Sequence, residues 1–112
     1  MEMGWPAGLS FPLEIRVSPK ALAQIEEAVE WWARNRASAP NAIRDDVAQI
    51  LTILSNQPGV GAPARHRRVQ GVRRVTLARV RHYLYYRVSG GVLEVLAFWH
   101  TSRGRQPRLS RE

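Results

Sequence analysis

Apolar positions Leu13, Ile15 and Val17 alternate with Glu14, Arg16 and Ser18 near the start of the chain. A period of two sends one side of an extended segment toward a core, so PLEIRVS is predicted to be a short strand. The period then changes. Leu22, Ile25, Val29 and Trp32 recur at helical spacing, while Glu26, Glu27 and Glu30 lie outside the stripe and Trp31 stands at its edge. Ser18 as N-cap and Pro19 at the first helical position mark the start of this helix: the serine oxygen takes an unpaired N–H, and proline needs no donor there. Ser38 or Ala39, followed by Pro40, gives a second start signal ahead of Ile43, Val47, Ile50, Leu51 and Leu54. That stripe ends at NQPGVG. Two helices with so short a joint form a helical hairpin.

The next segment, PGVGAPARHRRVQG, has the composition of a loop. Three strand candidates follow: VRRVTLA, RHYLYYRV and VLEVLAFWH. Ser89-Gly90-Gly91 joins the last two as a tight turn, because glycine accepts the positive φ such turns need. The joint between the first two falls near Arg79-Val80. The order β-α-α-β-β-β predicts an α+β fold: an N-terminal strand, an α-helical hairpin and a three-stranded antiparallel meander, with the helices packed on one face of the sheet. One domain is expected for 112 residues. Residues 12–105 form it. Residues 1–11, broken by Gly4, Pro6 and Gly8, read as a loose extension whose Trp5 is either a cover on the core or part of an interface. Residues 106–112 read as a frayed basic tail.

The pleat divides RHYLYYRV, which holds every tyrosine in the chain. His82, Leu84, Tyr86 and Val88 share the better core face; Arg81, Tyr83, Tyr85 and Arg87 share the other. The second set is two rings framed by two guanidiniums. It is either a platform for stacking nucleobases or a sheet face covered by a partner or by the C-terminal tail.

Charge sharpens that question. The formal net charge is +8, but residues 1–64 carry five basic and seven acidic residues, whereas residues 65–112 carry twelve arginines against Glu94 and Glu112. Such asymmetry points to phosphates or an acidic protein partner. Arginine suits bidentate pairing and stacking better than lysine does. The chain has no cysteine, which excludes a disulfide framework, a thiolate zinc site and a thiol nucleophile. No apolar run reaches membrane-spanning length, and the N-terminus lacks the basic region and apolar core of a signal peptide. A cytoplasmic protein without a membrane partner is therefore expected.

Candidate chemistry is sparse. His66, His82 and His100 show neither i,i+4 pairing nor carboxylates at ligand spacing, so no metal site is expected. There is no P-loop, GxGxxG or GxSxG, and no cofactor is expected. Glu26-Glu27 and Asp45-Asp46 lie within helices and read as solvated faces or partners for arginine. Metal-free RNA cleavage needs a base for the 2′-OH, an acid for the leaving oxygen and cations on the phosphorane. His100 and Arg103 offer an acid and a cation. The residues alone favour His100 as a strand-end residue bonded to backbone.

GVRRVTL, then YLYYRV, then GGVLEVLAFWHTSRG, behind a strand, Ser-Pro and a helix with a tryptophan near its end, resembles the RelE/ParE superfamily of type II toxins. The resemblance spans residues 13–105 and rests on the order and spacing of these motifs. It implies a toxin that is inactive while bound to a cognate antitoxin with an acidic, partly disordered C-terminal segment, in a higher-order toxin–antitoxin oligomer. RelE-like members cleave mRNA on the ribosome; ParE-like members poison DNA gyrase. RelE-like enzymes place basic residues along the first meander strand, an arginine in the middle one, and an arginine and often a tyrosine near the C-terminus. Here Arg74 fills one basic position, Thr76 stands two residues on, Tyr83 occupies the middle-strand position, and no tyrosine follows Tyr86.

These departures favour a ParE-like, non-enzymatic toxin that arrests growth. On that reading Arg74, Arg81, Tyr83, Trp99, His100, Arg103 and Arg105 contact the target, and Trp31, Tyr85 and Arg87 contact the antitoxin. Trp31 reads equally as packing within the domain. The alternative endoribonuclease would use His100, Arg103 and Arg74. A third reading is a basic binding module without toxicity.

Overall fold

The computed structural model describes residues 9–109. The chain runs β1 (Glu14–Val17), α1 (Pro19–Asn35), α2 (Ala42–Asn56), a 3-10 turn (Pro58–Val60), β2 (Ala62–Pro63), β3 (Arg73–Leu77), β4 (His82–Ser89) and β5 (Val92–His100). The strands form one sheet in the order β1-β5-β4-β3-β2. β1 is parallel to β5, with Glu14 opposite Val92 and Val17 opposite Val95. The meander is antiparallel throughout. The architecture is the α+β arrangement expected from the sequence, enlarged by β2. That two-residue strand lies in the segment expected to be a loop, and it pairs Ala62 with Arg74 and Pro63 with Arg73.

Local chemistry sets the boundaries. The Ala21 N–H donates to Ser18 Oγ at 3.0 Å, so the predicted cap starts α1. The buried stripe of α1 begins one residue earlier than expected: Ala21 is 0 % exposed and Leu22 is 47 % exposed. Ala21 is in phase with Ile25, Ala28 and Trp32, and its small side chain lets the helix lie close to the sheet. α2 starts after its predicted signal. Pro40 sits in a turn closed by the Ala42 N–H on Ala39 O (3.2 Å), and Asn41 precedes the helix. At the β4–β5 hairpin Gly90 has φ 58° and Gly91 φ 79°, so both central residues of the turn are in the left-handed region that glycine tolerates. The β3–β4 turn closes through the Arg81 N–H on Ala78 O (3.3 Å), with Arg81 at φ 56°.

The main core lies between the sheet and the two helices. Ile43, Leu54, Leu84, Tyr86, Leu93 and Val95 are fully buried there. Tyr86 also ties the 3-10 turn to the central strands. Its hydroxyl donates to Pro58 O at 2.6 Å and accepts from the Gly61 N–H at 2.9 Å. Arg73 Nη1 donates to Gly61 O at 2.6 Å. Any side chain at residue 61 would place its Cβ 2.5 Å from the Tyr86 oxygen, which explains the glycine.

β5 carries one residue more than its partner needs. Tyr85 faces Ala97 and Tyr86 faces Val95, which leaves Leu96 unpaired as a β-bulge. The bulge puts Leu96 and Ala97 on the same side. Beyond it Phe98 and His100 point toward the helices with His82 and Leu84, while Trp99 pairs with Tyr83 on the opposite face.

That opposite face has its own small core of Val69, Val72, Tyr85, Leu96, Ala97 and Leu109. The cover comes from the loop before β3 and from the chain after β5. The chain expected to fray from residue 106 is packed through Leu109: Pro107 is fully buried and Leu109 is 6 % exposed. Gln106 Nε2 donates to Arg65 O (2.9 Å) and Lys20 Nζ to Arg108 O (2.7 Å), which anchors the segment at both ends. Trp5 and residues 110–112 lie outside the described residues.

Candidate functional site

Two surfaces meet where β4 begins and β5 ends. The first is a cleft of about 530 Å³ between the second half of α1 and the helix-side face of the strands. Trp31 and Trp32 form its helical wall, His82, Phe98 and His100 its floor, and Arg103 its mouth. The floor is layered. The His82 ring stacks on Phe98 with centroids 4.3 Å apart, and His100 meets His82 edge-on at 5.0 Å. His82 Nδ1 donates to Val80 O at 2.8 Å, so the proton resides on Nδ1. Burial is the main cause that pushes the His82 pKa below its ordinary 6.5; the Val80 hydrogen bond opposes it, and His100 and Arg103 add to it. His82 is therefore a neutral, structural imidazole.

His100 is held differently. Its Nδ1 lies 3.1 Å from the Ser102 N–H and 2.7 Å from Ser102 Oγ, so it is an acceptor and the ring proton sits on Nε2. β1 stops at Val17, which leaves the outer edge of β5 open past Val95. Gln24 Oε1 closes part of that edge by accepting the Phe98 N–H at 2.8 Å. In the helical wall Trp31 is 46 % exposed, and Arg36 lies over both indoles at 5.3 and 5.7 Å. The Trp32 N–H is buried without an acceptor among the described residues, an exception to the usual pairing of buried donors.

The second surface is on the opposite face. Arg74 lies over the Tyr83 ring at 4.1 Å and Arg103 over the Trp99 ring at 4.2 Å. Arg105 lies 5.6 Å from the same indole, whose N–H donates to Arg105 O at 2.9 Å. Tyr83 and Trp99 are register partners, so the two stacks stand side by side. Tyr83 also meets Tyr85 edge-on at 6.2 Å.

The structure thus brings together five of the residues expected to contact a target: Arg74, Tyr83, Trp99, Arg103 and Arg105. Arg81 lies in the adjoining β3–β4 turn, and its carbonyl accepts from Thr101 N–H at 2.9 Å. His100 points the other way, into the cleft. The alternative trio of His100, Arg103 and Arg74 is therefore divided, with His100 and Arg74 on opposite faces of the sheet. The three residues expected at an antitoxin contact are divided too. Trp31 is on the helix side, Tyr85 is 2 % exposed under the loop and tail, and Arg87 is paired with Glu94 at 2.7 Å.

Gln24, Trp32 and Phe98 escaped the sequence reading as site residues. Gln24 had a signal: it is a polar residue three positions after Ala21, inside the stripe that α1 turns to the sheet. Among the described residues no cluster of His, Cys, Asp or Glu stands ready to hold a metal ion. Among them, too, no helix is long and apolar enough to cross a membrane.

The geometry is thus a parallel N-terminal strand, a helical hairpin on one sheet face and a basic C-terminal strand end. Residues 15–105 match the family described as the ParE toxin of the type II toxin–antitoxin system parDE, and the chain belongs to that family. A solved structure titled as the chromosomal ParDE toxin–antitoxin system from P. aeruginosa is similar in fold. It has a TM-score of 0.66 and 23 % identity, over 83 % of this chain and 100 % of that one. No curated protein matches the chain.

Proposed function

We propose that this ParE-family toxin acts in the cytoplasm by poisoning DNA gyrase. A cognate antitoxin neutralises it through an acidic, partly disordered C-terminal segment. The target-contacting surface is the paired stack of Arg74 on Tyr83 and Arg103 on Trp99, extended by Arg105, with Arg81 and His100 at its margin. The observation that carries this reading is the family match across residues 15–105. The division of His100 from Arg74 supports a role without proton transfer, because a general acid and the cation serving the same phosphorane must converge on one point.

The antitoxin segment docks in the cleft. Trp31 offers an exposed apolar anchor and Arg103 a cation for an acidic segment. Tyr85 and Arg87 serve this contact indirectly, as the support under β4 and β5.

A supercoiling and cleavage assay with purified gyrase tests the proposal. Inhibition with trapped cleaved DNA, relieved by the antitoxin, is the expected result. Cleavage of mRNA on ribosomes, with gyrase unaffected, overturns it in favour of the ribonuclease reading.

A further inference from the structure

Arg74, Arg103 and Arg105 share an unusual condition. Among the described residues none of them makes an ion pair or a side-chain hydrogen bond; each is held only against a ring. The ion pairs of the described residues lie elsewhere: Glu14 with Arg16, Asp46 with Arg79, and Glu94 with Arg87. A guanidinium seated on a ring keeps its N–H edges free and loses rotational freedom before any ligand arrives. The surface is therefore a set of pre-positioned forks without an internal anion.

Its neighbours enlarge it. The Gln106 bond to Arg65 O joins the tail to the loop and brings Arg65 beside the stretch of chain that carries Arg105. The sequence pI is about 11.4. Protein partners take most of their binding energy from apolar and aromatic anchors. Here the guanidiniums cover the very rings that would serve as anchors, which leaves dense charge and little free apolar area. The same covering removes the ring faces on which unpaired bases would stack. Duplex RNA is recognised through 2′-hydroxyls that ask for acceptors as well as donors, and guanidinium is a donor only.

We propose that this arginine-on-ring surface binds the phosphate backbone of duplex DNA directly, without reading bases. The contact adds DNA to the gyrase reading as a second partner of the same face. A naked-duplex assay contains no gyrase, so its failure leaves the supercoiling result intact.

The experiment is fluorescence anisotropy of the full chain with a labelled DNA duplex across a salt series. Duplex RNA, single-stranded DNA and poly-glutamate serve as competitors. Micromolar binding is expected, with a log–log salt slope of about −0.9 for each phosphate contacted. The triple variant Arg74→Gln, Arg103→Gln, Arg105→Gln should weaken binding at least about tenfold and flatten the slope by about three contacts. Arg16→Gln, at the other end of the sheet, should bind as the wild type does. Circular dichroism confirms that each variant is folded. The proposal fails if the folded triple variant keeps full affinity and slope. It also fails if single strands or duplex RNA bind more tightly than duplex DNA, or if poly-glutamate displaces the duplex at equal charge concentration. The last outcome would assign the surface to an acidic protein.

Discussion

The two faces of the sheet solve the same burial problem by different means. The helix side is covered by two long elements whose apolar residues recur at helical spacing. It buries large aliphatic side chains completely and leaves the Trp31–His100 cleft at its far end. The opposite face is covered by a loop and a tail, through Val69, Val72, Pro107 and Leu109. That cover is thin, and it stops short of Tyr83 and Trp99. The arginines of β3 and the tail fill what remains by lying on the rings. The larger core lies on one side of the sheet, and the arginine-on-ring surface lies on the side with the thinner cover.

The contrast can be broken in several places. Leu84→Ala removes a fully buried side chain from the helix-side core and should cost about 3 kcal/mol, read as a fall in the urea midpoint at constant slope. Gly61→Ala drives a methyl into the Tyr86 hydroxyl and ring and should cost about 2 kcal/mol by overpacking. Leu109→Ala, on the thin side, should cost about 1 kcal/mol, with the loss confined to faster hydrogen exchange in the tail and the loop before β3. If Leu109→Ala destabilises as much as Leu84→Ala, the two faces are equal partners and the comparison fails.

The smallest expected effect concerns pH. The folded pKa of His82 lies below 6.5, so the unfolded chain binds the proton more readily. Stability from this group is complete above about pH 6.5 and declines as pH falls toward the folded value. His100, Arg103 and Glu27 are the other titratable or charged groups lining that cleft. His82→Leu should flatten the decline of Tm between neutral pH and pH 5; an unchanged slope would assign the decline to other groups.

What the sequence disclosed follows the same division. Periods of two and of helical spacing locate β1, both helices and the meander, although β4 and β5 bury residues on both faces and Ile15 of β1, expected toward the core, is 39 % exposed. The β4 assignment of Leu84, Tyr86 and Val88 to the helix-side core agrees with the structure. Pro107 and Leu109 stand in a polar, arginine-rich stretch with too few apolar residues to show a period, so their burial was not legible. Leu22 was misplaced because a stripe of large residues draws attention away from Ala21. The resemblance groups Arg74, Tyr83, Trp99, Arg103 and Arg105 with His100. The structure turns His100 to the other face, through a bulge that strict alternation cannot reveal.

That bulge bears on how the gene can change. Losing one codon inside a central strand ordinarily turns every later side chain inside out. Here the strand holds one surplus residue, and Leu96 and Ala97 already share a side. Deleting Leu96 would straighten β5 and leave Trp99 and His100 on their present faces. Adding a residue at the same place would keep those faces as well, but it would slide Trp99 two positions along the partner strand, from Tyr83 to the turn at Arg81. The strand tolerates shortening and resists lengthening, an asymmetry that lineages of this toxin should carry in their insertions and deletions.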